Sequence, residues 1–194
     1  MTLAAALDSL SLDRSLEPKL TDFIALFEKW NRSINLSAAT TRDEIVEHIV
    51  DSLHVVPFFR DRDVTSVLDV GSGGGFPVVV AALSLPAISF TALEPVHKKH
   101  AFLRTAAREL ALPNLDALAE RLDDHSAREY DAACSRATFD LVEWLARGSA
   151  FVRVGGIVLG FEAVPRDDLP PTAERHPYTL DGKQRAIICF QRST

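Results

Sequence analysis

The chain has 194 residues, of which 47% are hydrophobic and 25% charged, and its formal net charge is −6. That length carries one α/β domain with a sizeable core, and the balance excludes a fibrous, disordered or low-complexity protein. The acidic surplus argues against a surface that grips nucleic acid everywhere, while leaving room for a local basic patch.

Residues 1–60 read as helices. Leu20, Phe23, Ile24, Phe27 and Trp30 recur at helical spacing behind Pro18, which suits a helix entrance, so this stripe is expected to face a core. The polar stretch 31–40 predicts a loop. Thr41 and Glu44 then have capping-box spacing, and Ile45, Ile49 and Leu53 share one face of the helix that follows. Pro57 lies near its end.

From Thr65 the rhythm changes. Strands are predicted over 66–70, 88–93, 115–119, 130–135 and 156–161, alternating with helices over 77–85, 97–110 and 139–147. Residues 164–177 form a proline-rich connection, and 178–180 and 185–190 read as two strands around the Asp181-Gly182 turn. The expected fold is α/β: a mostly parallel seven-stranded, Rossmann-like sheet with helices on both faces, one antiparallel strand and an N-terminal helical cap. No linker divides the chain, so 1–194 is expected to be a single domain, with 1–60 as cap and 61–194 as body. Cys134 and Cys189 are far apart, and neither they nor the histidines show metal spacing. No disulfide framework and no metal site are expected, and a reducing cytoplasm is the default. The stretch 1–15 has no basic start or long apolar core, so no signal peptide is expected. No apolar run approaches the ~20 residues that span a bilayer.

The informative stretch is 64–77, VTSVLDVGSGGGFP. A buried strand runs into Gly71-Ser72-Gly73-Gly74-Gly75 and on to a helix start, with Pro77 placed for its first turn. Glycine there removes the Cβ atoms that would hold a ligand off the backbone, and permits positive φ. A dinucleotide fingerprint needs a third glycine where Phe76 stands, and no P-loop lysine follows. Asp69 before the loop and Glu94 after the next strand instead resemble the pattern of class I methyltransferases, which use S-adenosylmethionine. Asp69 would meet the cationic amino end of that cofactor, directly or through water, and Glu94 would accept its ribose hydroxyls.

Three separated stretches go further. Trp30-Asn31 with Ile34-Asn35-Leu36-Ser37 and His48-Ile49-Val50-Asp51-Ser52-Leu53 form the first. The loop ending in Phe76-Pro77 is the second, and Ser135-Arg136-Ala137 the third. Together they resemble the bacterial small-subunit ribosomal RNA methyltransferase G family, once called glucose-inhibited division protein B. Lys98-Lys99 before Phe102-Leu103, with Asn114 and Arg121 at the family's intervals, extend the likeness over 20–165. The resemblance implies a class I fold with N-terminal helices, and methylation of a guanine N7 in 16S ribosomal RNA. It implies cofactor contacts at Gly71, Phe76, Leu122, Asp123 and Arg136, beside Asp69, Gly73, Gly75 and Glu94 from the loop pattern. Arg136 could serve the cofactor carboxylate, an RNA phosphate or an ion pair.

The implied partner is 16S ribosomal RNA or a precursor 30S subunit, with no membrane and a monomer favoured. Guanine N7 has a lone pair and no proton, so no general base is expected; positioning is. Phe76, Arg136 and Phe139 are the candidates to hold the base, with core packing as the other reading of Phe139. Arg32, Arg42, Lys98, Lys99, Arg104 and Arg108 are phosphate candidates or a solvated face. Asn31, Asn35, His48 and Asp51 are expected to join the cap to the glycine loop by hydrogen bonds. Cys134 reads as a strand-core residue. Two departures stand out: Val78 replaces a glycine, and Glu162 replaces a lysine at the end of the fifth strand. Glu162 in place of a cation near the active-site edge would weaken attraction for RNA, which leaves open another RNA or a small molecule as substrate, or a non-catalytic cofactor-binding module in ribosome assembly.

Overall fold

The computed structural model describes residues 2–126 and 129–193. Four helices come first: α1 (Leu3–Ser9), α2 (Leu16–Ile34), α3 (Arg42–Leu53) and α4 (Val56–Arg60). The alternating part follows as β1 (Ser66–Val70), α5 (Val78–Ser84), β2 (Ser89–Leu93), α6 (His97–Glu109), β3 (Leu115–Leu118), a 3-10 turn (Leu122–Asp124), β4 (Tyr130–Ser135), α7 (Leu141–Ser149) and β5 (Val152–Glu162). The hairpin β6 (Glu174–Leu180) and β7 (Lys183–Gln191) closes it.

The described residues form a seven-stranded sheet of order β3-β2-β1-β4-β5-β7-β6. The first five strands pair in parallel, and β7 runs antiparallel to both β5 and β6. The expected mostly parallel sheet with one antiparallel strand is therefore what forms. The chain leaves β1 toward β2 and β3, then returns to place β4 on its other side. Carboxyl ends of strands flanking such a reversal open a crevice for a ligand.

Local chemistry sets the ends. Thr41 and Glu44 make the full capping box of α3. Asp181 and Gly182 both take positive φ, 48° and 74°, as a two-residue hairpin of type I′ requires. Several boundaries move from expectation. Helix α2 runs on past Asn31 to Ile34 and ends at Asn35, whose φ of 53° is the left-handed cap asparagine tolerates. Helix α7 starts at Leu141, because the Asp140 carboxylate accepts the N–H groups of Val142 and Glu143. Phe139 is thus outside the helix. Pro77 caps α5 from outside, the helix beginning at Val78. Strand β6 begins at Glu174 and contains Pro177, which an edge strand tolerates.

Helix α2 seats the N-terminal helices on the sheet's helical layer. Phe23 and Phe27 lie 6.4 and 6.0 Å from Phe102 of α6, and 5.4 and 5.2 Å from Phe76 at the end of the glycine loop, by ring centroids. Full burial of each such ring stabilises by about 2–3 kcal/mol, so the cap packs directly against the loop. Among the described residues no helix is long and apolar enough to cross a membrane.

Candidate active site

The glycine loop fills the gap between β1 and α5, and each glycine has a different neighbour. Gly71 has φ +72°, and a Cβ there would lie 2.0 Å from Thr138 Oγ1. Thr138 reaches that place because Ala137 adopts φ 58°, a conformation that costs a residue with a Cβ. That turn folds the end of β4 back over β1: Ser135 Oγ and Thr138 Oγ1 both donate to the Val70 carbonyl, at 2.8 and 3.3 Å. Gly74 lies under Phe27, and Gly75 meets Val79 and Phe23. Gly73 differs. It has φ +50°, and the nearest atoms to an added Cβ are 3.6 and 3.9 Å away. Backbone is therefore bare to open space at Gly73, whereas Gly74 and Gly75 serve packing of the cap.

That space belongs to a cavity of about 1120 Å³ at the carboxyl edge of the parallel strands, walled by the loop, α3, the end of β4 and the β6–β7 hairpin. Gly71, Gly73, Phe76 and Arg136 line it, as do Lys99 and Phe139. The other expected cofactor residues lie behind or beside this wall. Glu94 is 4% exposed. Its Oε2 accepts the Gly73 N–H and its Oε1 the Val96 N–H, both at 2.8 Å, so it shapes the loop from below. Leu122 is buried in the core under β4, and exposed Asp123 pairs with Arg147.

Asp69 lies beneath the loop, 1% exposed. Its strand register places it beside Cys134, whose S–H donates to Oδ1 at 3.2 Å. Oδ2 is buried with no hydrogen-bond partner. Burial raises this carboxyl to about 6 from an ordinary 3.8. Asp69 does not itself line the cavity; its carboxyl lies behind the loop, where an orphaned buried oxygen is costly to leave without a donor.

Arg136 stands opposite the loop. Its guanidinium carbon lies 5.1 Å from the Phe76 ring centroid, over the ring. Nη1 donates to Asp51 Oδ2 at 3.2 Å and approaches His48 Nδ1 at 3.5 Å. The His48 ring lies 5.4 Å from Phe76, and burial followed by the Arg136 charge lowers its pKa, favouring the neutral imidazole.

The expected four-residue polar network is thus two devices. His48 and Asp51 do join the cap to Arg136. Asn31 instead donates to the Ala39 carbonyl at 2.7 Å and accepts the Ser37 N–H at 3.1 Å, folding the loop after α2. Asn35 is the helix cap. Asn114 is also structural, its Nδ2 reaching the carbonyls of Ala82, Leu85 and Ile88. Phe139 is half-buried at the cavity edge, stacked on Trp144 at 5.9 Å and under the Arg147 guanidinium at 4.7 Å.

Glu162 corrects an expectation. It is not a free negative charge at the cavity edge. Its carboxylate receives the Arg175 guanidinium at 2.8 and 2.9 Å and the Arg166 N–H at 3.0 Å. Arg166 and Arg185 also line the cavity, Arg166 being itself paired with Asp140 and Asp168, and the wall carries Glu44, Glu47, Asp51 and Asp140 beside its cations. Tyr178, Thr138, Arg166 and Arg185 were not singled out by the sequence. The Asp181-Gly182 turn points toward the strands that carry Tyr178 and Arg185, and nothing in the spacing points toward Thr138 or Arg166.

The sequence model of rRNA small subunit methyltransferase G (GidB) matches residues 16–192. A ribosomal RNA small subunit methyltransferase G of Aromatoleum aromaticum is 34% identical over 95% of this chain and 93% of its own length. Among solved structures, a methyltransferase from Geobacter sulfurreducens superposes with a TM-score of 0.64 at 13% identity, covering 89% of each chain. TrmN from Thermus thermophilus superposes with a TM-score of 0.58 at 21% identity, over 74% of this chain and 48% of its own. These two likenesses concern the fold, the expected class I Rossmann-like α/β sheet. With a match that spans nearly the whole chain and a relative at 34% identity, the chain belongs to the rRNA small subunit methyltransferase G family.

Proposed function

We infer that this chain transfers a methyl group from S-adenosylmethionine to N7 of a guanine in 16S ribosomal RNA. The observation that carries the reading is the pairing of bare backbone at Gly73 with the orphaned carboxylate oxygen of Asp69, at the switch point of the sheet. Those two features fit S-adenosylmethionine, which carries no phosphate and has an ammonium group at its amino end. When bound, the cofactor supplies an electrophilic methyl on a sulfonium.

The chain's own residues do the rest. Gly71 and Gly73 let the loop pass close to the ligand, and Gly75 supports the loop from behind, against Val79 and Phe23. Asp69 offers negative charge to the ammonium group. Glu94 holds the Gly73 N–H and keeps lone pairs for hydroxyl donors. Leu122 and Asp123, on the turn after β3, are assigned to the adenine side on the family resemblance. Arg136 and Phe76 form one wall of the cavity and hold the incoming base or its phosphate by charge and by their flat faces. No residue is needed to remove a proton, because N7 has none. Catalysis is then alignment and exclusion of water rather than acid–base chemistry.

The substrate is proposed to be the RNA of the small subunit, free or in a 30S particle, met in the cytoplasm by a monomer. The chain is proposed to act as one domain, 1–194, the cap 1–60 and body 61–194 sharing the aromatic cluster of Phe23, Phe27, Phe76 and Phe102. Titration calorimetry with S-adenosylmethionine and with NAD tests the cofactor side. Binding of the first alone is expected. Binding of NAD alone would overturn the assignment.

A further inference from the structure

We propose that Tyr178 is a positioning residue for Arg136, acting through Asp51. This rests on the reading above that Arg136 faces the bound molecules. The Tyr178 hydroxyl donates to Asp51 Oδ1 at 2.6 Å, while Asp51 Oδ2 receives Arg136 Nη1 at 3.2 Å. One carboxylate thus bridges a phenol and a guanidinium. A carboxylate held at one oxygen by a short hydrogen bond has a fixed plane, and its second oxygen then has a fixed direction. The direction here places the guanidinium over the Phe76 ring, on the wall of the cavity.

The phenol is itself held. Its ring stacks on His54 with centroids 3.7 Å apart and planes 18° off parallel. The strand register of the hairpin, Tyr178 opposite Arg185, fixes its height on β6. Three separate elements therefore meet at one carboxylate: α3 of the helical cap supplies Asp51, β4 leads into Arg136, and the edge strand β6 supplies Tyr178. The hydrogen bonds described engage only Nη1 of the guanidinium. Its other donors stay available to a ligand in the cavity, which a purely structural ion pair would not require. Tyr178 lines the same cavity, so its alignment is coupled to whatever fills it.

Tyr178→Phe removes the hydroxyl and keeps the ring on His54. The test is a double-mutant cycle with Arg136→Lys, read on cofactor affinity by calorimetry and on kcat and KM for methyl transfer to 30S subunits. Tyr178→Phe is expected to lower transfer about three- to tenfold. The loss should fall on the same parameter, kcat or KM, that Arg136→Lys alters, with a midpoint of thermal unfolding within a few degrees of the parent. In the Arg136→Lys background, Tyr178→Phe should add nothing. Transfer equal to the parent's, or losses that multiply, would overturn the proposal. If the parent transfers no methyl to 30S subunits or naked RNA, it is the functional reading that fails. The cycle is then decided on cofactor affinity, where the same non-additive loss supports the positioning role and an unchanged or multiplied one refutes it.

Discussion

The Glu162 carboxylate, 3% exposed, takes the Arg175 guanidinium on both oxygens at 2.8 and 2.9 Å. The pair ties β5 to β6 across the intervening β7, and holds the connection after β5 through the Arg166 N–H. Removing the cation leaves a buried charge with one backbone donor. Arg175→Met is expected to cost about 2–3 kcal/mol, and Glu162→Gln about 1 kcal/mol, since the amide oxygen still accepts from the backbone. Urea midpoints at constant slope measure both. Equal losses would show that the charge on Glu162 does not matter.

The two cavity-lining glycines at positive φ separate folding from binding. Gly71→Ala drives a methyl into Thr138 and forces a left-handed alanine, so a loss of about 3 kcal/mol or more is expected. Gly73→Ala meets no atom closer than 3.6 Å and should cost about 1 kcal/mol, from its φ alone. Its methyl stands in ordinary contact with the Gly71 carbonyl and Glu94 at the cavity wall, so its larger effect is expected on cofactor affinity, about tenfold or more by calorimetry. Unchanged affinity in Gly73→Ala would move the cofactor away from this loop.

Asp69 gives a pH signature. Its folded pKa of about 6 lies above the ordinary 3.8 because of burial. The folded state therefore holds this proton more tightly. The associated stability is fully present below 3.8 and is lost as pH rises through about 6. Above that, Asp69→Asn should stabilise the free protein, by on the order of 3 kcal/mol. The same exchange should weaken cofactor binding, because the amide offers no charge to an ammonium. In the parent, affinity should rise between pH 5 and 7 and then level off, and the rise should vanish in Asp69→Asn. A flat profile in the parent would remove Asp69 from the cofactor site.

Burial pushes the thiols of Cys134 and Cys189 up, so neither is a ready nucleophile. Iodoacetamide at pH 8 is expected to label neither cysteine in the folded protein and both after denaturation. Rapid labelling of the native protein would contradict the packing around Asp69 and β7.

What was legible in the sequence is local. The glycine loop, the Thr41–Glu44 box and the Asp181-Gly182 turn carry their geometry in adjacent residues, and each forms as expected. The alternation of strands and helices gave the sheet, and the motif around Ser135-Arg136-Ala137 gave one wall of the site. What was not legible is pairing at a distance. Nothing near Tyr178 marks it as the partner of Asp51, 127 residues earlier. Glu162 shows no partner in the sequence, because Arg175 reaches it only once the hairpin folds. Thr138 sits over Gly71 only because Ala137 turns the chain back. Spacing rules read one element at a time, whereas these contacts are made by side chains of different elements.

The most direct test of the function is transfer of labelled methyl from S-adenosylmethionine into 30S subunits and naked 16S RNA, followed by mapping of the label. The expected result is label on N7 of a single guanine of the 16S RNA, reduced in Arg136→Lys. Cofactor bound by the protein with no label in either form of the RNA would contradict it.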